Sequence, residues 1–519
     1  MKRIKSACVL FLSIIFILSM FLTACSVQTD RGGSKDSDTK KIQEGQSPLD
    51  ASKLDPVRLI MTVPGTPQQD QSLVNDAISK YLKDDLNVTI DLQQIDWASW
   101  GDKSNLIIAS GEECDILFTA PWTQYEVNAV KGAFHELDDL IPQYAPDILK
   151  TNYTWLIDVA KINGKIYAIP TYQILAQSRG FILRKDLVDK YGPEVSFTVK
   201  EVNKPEDLEP LLRVIKKNEP GIIPYYGNPS KLLSFMGPWD RQGSTEPTAI
   251  NCYDEYPRYV NFYDNDFYRE CARIARRWFV DGLVNSDIAT TKEDASSIFA
   301  AGKAFCYSGQ TNPAEKSSIE NATGYKIVMY PLIKPIISTS LARGAMFSIP
   351  RQSSNRERAL MFLNRLHTDK NLVNMFVYGI EGKHYVFKDD SRQIIGPAPG
   401  IDPSKHPYYN LIWMFGNQSL LYAYGEENVN AAKDLDDFNQ NAVKSPALGF
   451  SYNPEVMKNE IAALTNIVLE YDPVISSGAV DMNKDGLYEK FLQKLKAAGI
   501  DRLLEDQNKQ LEEWLKNKK

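Results

Sequence analysis

Three apolar segments near the front of the chain constrain its fold more than any other feature. "VRLIMTV" (Val57–Val63) is short, apolar and bounded by prolines, which predicts a buried strand. "VTIDLQQI" alternates as a second strand and "CDILFTA" predicts a third. Between the first two lies "QQDQSLVNDAISKYLKDDLN", a helix with Leu73, Ala77, Ile78 and Leu82 on one face. "SWGDKSNLIIASGE" is a second helix, with Gly111 as its stop. Strands separated by helices pair in parallel, so the pattern predicts an α/β sheet. Further on, "GKIYAIPTYQILAQSRGFILRKDLVDKYG" joins two strands to a helix starting at Asp186. "DNDFYRECARIARRWFVDGLV" puts Phe267, Cys271, Ile274 and Trp278 on one helical stripe. "IVMYPLI" and "GAMFSIP" predict strands, and the tail from Leu487 is helical with a break near Gly499.

The chain has 519 residues, more than a single core serves, so two or three lobes are expected. It starts with Lys2, Arg3 and Lys5, then an apolar run to Phe21 and the stretch Leu22-Thr23-Ala24-Cys25. This resembles a bacterial lipoprotein signal over 1–24, with Cys25 as the lipidated first residue after cleavage. Residues 25–53 are polar and Gly/Ser-rich, which predicts a disordered tether. A lipid-anchored protein on the extracellular face of the cell membrane is therefore expected, touching the bilayer only through its anchor. The net charge is −7 and becomes more negative once the three leading cations are removed, which argues against nucleic acid as a partner.

The common catalytic signatures are missing. There is no GxGxxG, no phosphate-cradling GxxxxGK[ST] and no GxSxG elbow, and the four histidines lack metal-ligand spacing. After Cys8 and Cys25, four cysteines remain (Cys114, Cys252, Cys271 and Cys306), with Cys252 and Cys271 a possible bridge. "DMNKDG" offers Asp481, Asn483 and Asp485 in the order that opens a calcium loop, but the twelfth position is Leu492 instead of a bidentate Glu. A polar turn ahead of the helix at Leu487 is the plainer reading, and no cofactor is expected.

Several ordered stretches resemble the extracellular solute-binding proteins of ABC importers, of the sugar-binding type. They are "LIIASGEECDILFTAPWTQYEVNAVKGAFHELDDLI", "NGKIYAIPTY", "FILRKDLVDKYG", "SIFAAGKAFCYSGQ" and "GAMFSIP" followed by "RERALMFLNRL". "HYVFKDD", "WMFGNQ" and "SPALGFSYNPEVMKNEIAAL" are similar to its LipO-like lipoprotein subgroup. The resemblance implies a two-lobe α/β fold of the type II periplasmic-binding-protein kind, a multi-strand hinge, a permease partner and no catalysis. It places the N-terminal lobe at 54–171 plus about 345–412, and the C-terminal lobe with its helical extension at 172–344 plus about 413–519. A monomer is expected. The sequence departs from the family at Cys114, where proline is frequent, and at "SGQTNP", where an aromatic is common.

A pyranose presents C–H faces that stack on flat rings and hydroxyls that need planar or charged partners. Loop aromatics near strand ends are thus the candidate platforms for an oligosaccharide: Trp97, Trp100, Trp122, Tyr125, Tyr172, Trp239 and Trp413. The polar candidates beside them are Asp96, Gln124, Asp240, Gln310, Asn312 and Arg343. An uncovered Arg343 would suit an acidic sugar such as a uronate. Trp278 and Trp514 are expected to pack inside. Two rival readings stay open on sequence alone: a secreted glycoside hydrolase, since acidic pairs abound, and a peptide-binding lipoprotein.

Overall fold

The computed structural model describes residues 55–229, 233–241, 246–402 and 405–518. The signal, the tether and the lipidation site Cys25 lie outside these residues. Strand Val57–Pro64 pairs in parallel with Val88–Ile95, from Val57 opposite Val88 to Pro64 opposite Ile95, and with Ile116–Thr119 on its other side. The intervening helix Gln71–Leu86 buries Val74, Ile78, Leu82 and Leu86, a row of i+4 neighbours. Leu73, expected on that face, points to solvent, because the row that meets the sheet begins one residue later. Asn87 and Gly111 end the two helices in left-handed conformation, at φ 48° and 72°.

The first sheet is completed from far along the chain. Strand Met346–Ser348 inserts antiparallel between Ile116–Thr119 and Ile169–Pro170, with Phe347 opposite Phe118. Its core runs from Leu59 to Ile169 and resumes from Ala345 to Phe415, with Trp413 and Tyr422 packed against it. Met414 and Phe415 thus pack with the first sheet's core.

The second sheet has the order Ile327–Pro331, Arg179–Arg184, Ala304–Gln310, Ile223–Tyr226 and is mixed. Gly180 lets its strands approach, since a Cβ there would sit 2.1 Å from the Tyr330 carbonyl oxygen. Helix Asp266–Val280 covers this sheet with Cys271, Ile274 and Trp278 buried, as its stripe predicts. The helices Lys458–Ser476, Leu487–Ala497 and Ile500–Asn517 form a further layer, with Lys458–Ser476 against helix Asp266–Val280, where Tyr268 donates to Asp472 (2.8 Å). Their core is shared with an antiparallel ribbon of Trp239–Asp240, Thr248–Asn251 and Val260–Asn261.

The chain crosses between the two sheets in segments that hydrogen-bond to one another. Tyr172 N–H donates to the Gly416 carbonyl (2.9 Å), and Gln177 and Ile336 exchange a pair of bonds (2.8 and 3.0 Å). Ile336–Ile337 also pairs in parallel with Val443–Lys444. Asn439 accepts from Leu175 and Ala176 N–H (2.8 and 3.2 Å) and donates to the Gln173 carbonyl (2.6 Å), which splints the first crossing.

The possible Cys252–Cys271 bridge is not formed, while "DMNKDG" folds as the polar turn its sequence suggests. Cys252 and Cys271 are free, buried thiols in separate apolar clusters, one with Ile333 and Ile336 and one under the second sheet. In "DMNKDG", Asp481 accepts from Asn483 N–H (2.9 Å), so the loop closes on itself as a turn before helix Leu487–Ala497. Among the described residues no group of acidic, His or Cys side chains is arranged to hold a metal, and no helix is long and apolar enough to cross a membrane.

Candidate functional site

A cleft of about 970 Å³ opens between the two sheets, at the upper end of the range for small-ligand sites. The first lobe contributes Trp122, Glu126 and Trp413 to it; the second contributes Asp240, Gln310 and Asn312. Arg343 and Gly344 reach it from a crossing segment.

The first-lobe wall is aromatic. Trp97 lies 6.0 Å from Trp122 and 6.4 Å from Trp413 between ring centroids, and Trp122 and Trp413 rest on Phe118. Trp97 is 43% and Trp122 52% exposed, unusual for the largest apolar side chain and expected of a stacking surface. Local chemistry aims them. Asp96 accepts from Ala98 N–H (3.0 Å) and starts the helix that carries Trp97. Gln124, exposed and left-handed at φ 63°, forces a break between the turn Pro121–Thr123 and the helix Tyr125–Val130. The Trp122 indole N–H donates to the Gly344 carbonyl (3.2 Å), so the platform is fastened to a crossing segment.

Four of the expected platforms lie in the interior. Trp100 packs on Phe118 beneath the surface. Tyr125 is buried and its hydroxyl donates to the Ala160 carbonyl (2.5 Å). Tyr172 stacks on Tyr153 at 4.3 Å and donates to Asp436 (2.8 Å). Trp239 meets Phe262 and Phe267 in the ribbon's core.

Arg343 is 1% exposed and fully engaged. It donates to the carbonyls of Val159 (2.6 Å), Lys161 (3.0 Å) and Gly449 (3.1 Å), to Ser451 Oγ (2.6 Å) and to Glu126 (3.1 Å). Its condition for gripping a uronate, an uncovered guanidinium, is therefore not met. It ties the first lobe to the segment that leads into the C-terminal helices.

The opposite wall is polar. Gln310 accepts from the Asn312 amide (3.0 Å), and Asn312 caps helix Pro313–Thr323 by accepting from Glu315 N–H (3.0 Å). Burial pushes the Asp240 carboxyl up to about 6, against the pull of Ser445, the Thr339 main chain and Arg179. Burial raises Glu246, also on the wall, in the same direction. Sequence reasoning missed Thr248, Tyr259, Phe450, Tyr452 and Gln507, which line the cleft as well. Of these, only Gln507 left a signal: a polar residue on the apolar i+4 row of Leu503 and Leu511.

These elements make a two-lobe α/β fold with a cleft between its sheets. The chain belongs to the bacterial extracellular solute-binding protein family, which its sequence matches over residues 76–379; such proteins are transport components and not enzymes. Residues 446–516 match a domain of unknown function. A carbohydrate ABC transporter substrate-binding protein from Streptococcus pneumoniae serotype 4 is 30% identical over 459 residues, 87% of this chain and 89% of that one. The crystal structure of the N-glycan transport solute binding protein NgtS from Streptococcus pneumoniae superposes with a TM-score of 0.79 at 28% identity, covering 90% of this chain and all of that one. Its complexes with Man1GlcNAc and Man5GlcNAc give 0.68 and 0.64, at 26% and 27% identity and 89% and 90% of this chain, again over all of that one.

Proposed function

We propose that this protein captures a neutral oligosaccharide in the cleft, outside the cell, and delivers it to the permease of an ABC importer, held at the membrane by a lipid on Cys25. The observation that carries this reading is the pair Trp122 and Trp413, with exposed Trp97 packed beside them, lining the same cleft as the polar groups of Asp240, Gln310 and Asn312. Rings take the C–H faces of a sugar while the wall takes its hydroxyls. The carboxylates on the wall and the sequestered Arg343 favour a neutral glycan over a uronate. The carbohydrate relative and the glycan complexes of NgtS support the ligand class.

Ligand contacts in both lobes stabilise a closed form, with the crossing segments as the hinge. The three NgtS structures superpose unequally on this chain at nearly equal identity, which supports lobes that rearrange. Small-angle scattering with saturating N-glycan fragments is expected to show a smaller radius of gyration than the free protein. An unchanged radius with sugar bound would overturn the closure mechanism, and a response to peptides alone would overturn the ligand class.

A pH dependence follows from Asp240. With its free-state pKa at about 6, a carboxylate that accepts from sugar hydroxyls is stabilised on binding, so its pKa falls in the complex. Affinity is then greatest above pH 6 and declines as pH drops through 6. Asp240→Asn is expected to flatten the profile between pH 5 and 7.5 in calorimetric titrations; an equally sloped profile in the variant would exclude this role.

A further inference from the structure

Helix Ile500–Asn517 turns Ile500, Leu503 and Leu511 toward the ribbon. Gln507 occupies the same buried row, is 2% exposed and lines the cleft, and its Oε1 has no hydrogen-bond partner. Thr248, in the ribbon and 0% exposed, also lines the cleft with its Oγ1 unpartnered. A buried polar atom left unpaired is costly to folding, and leucine or valine at these positions would avoid that cost. Both groups belong to one small region. Asn508, next to Gln507, donates to and accepts from the Tyr259 main chain (3.0 and 2.8 Å), while Val260 and Asn261 pair with Ala249 and Thr248. Apolar surface from Ile250, Tyr259 and Phe450 lines the same cleft. The helix is held firmly there: Tyr452 donates to Asp506 (2.7 Å), and Gln510 exchanges two bonds with the Asn453 main chain (3.0 and 3.1 Å).

We propose that the C-terminal region 446–516 completes the cleft with a subsite for the acetamido group of an amino sugar, read by Gln507 and Thr248. An acetamido group carries one N–H donor, one carbonyl acceptor and one methyl. The N–H donates to Gln507 Oε1, the carbonyl accepts from the Thr248 hydroxyl, and the methyl covers the apolar surface. A 2-hydroxyl offers a single polar atom and leaves the remainder of the subsite unmatched. The inference rests on the oligosaccharide reading and sharpens it to glycans that contain an N-acetylhexosamine.

The test is calorimetric titration of the mature protein with Man1GlcNAc and with its analogue carrying glucose in place of N-acetylglucosamine. The wild type is expected to prefer the acetamido probe by about tenfold or more, because a site built for a polar group rejects the analogue lacking it. Gln507→Leu and Thr248→Val are each expected to bring the ratio below about threefold, chiefly by weakening the acetamido probe. The melting temperature of Gln507→Leu should hold or rise, which a purely structural glutamine would not allow. Equal affinity of the wild type for both probes, or a preference kept in both variants, overturns the subsite and leaves the oligosaccharide reading standing. Binding of neither probe, nor of any other oligosaccharide, overturns both.

Discussion

Replacing Arg343 with methionine is expected to lower the free energy of unfolding by about 3–5 kcal/mol, read as a lower midpoint in chemical denaturation. The size comes from what is left behind. Glu126 loses its cation, and the carbonyls of Val159, Lys161 and Gly449 lose a donor in a place that water barely reaches. Each orphaned acceptor carries its own desolvation cost, so the loss exceeds that of an exposed ion pair, typically about 0–1 kcal/mol. Arg343→Lys should recover only part of the stability, since an ammonium has three donors and no planar fork. A midpoint shift worth less than about 1 kcal/mol in the methionine variant would show that the guanidinium does not bind these strands together.

Trp122→Ala is expected to weaken glycan binding by about 2 kcal/mol, roughly thirtyfold, with almost no change in melting temperature. The two readouts separate because half of the indole faces the cleft: truncating it removes stacking surface and little core. Trp122→Phe keeps a smaller ring and should retain part of the affinity. Trp97→Ala should cost less, as Trp97 stands behind Trp122 in the platform and is not itself part of the cleft wall. Calorimetric titration beside a thermal melt checks both variants. A large drop in melting temperature with unchanged affinity would make Trp122 a structural residue.

The α/β class was legible in the alternating segments, and so was the stripe of helix Asp266–Val280, because periodicity and turn residues act over a few neighbours. The glycine stops at Gly111 and Gly499 were readable for the same reason. The face of helix Gln71–Leu86 was misjudged at Leu73, since a one-residue offset of an i+4 row depends on which row the sheet meets. The site was less legible still. Trp122, Trp413, Asp240, Gln310 and Asn312 meet in one cleft, while Trp100, Tyr125, Tyr172 and Trp239 go inside, although all were loop-edge residues in sequence.

The amino-acid order alone determined the segments, their caps, the signal-like start and the family resemblance, all of which rest on local pattern. Tertiary structure decided where each side chain ends. Arg343 became a tie because carbonyls more than a hundred residues away in either direction converge on it, and Gln507 reached the cleft because its helix packs on a ribbon some 250 residues earlier. Burial and hydrogen-bond partners at such separations are properties of the packed chain, and no periodicity within a segment encodes them.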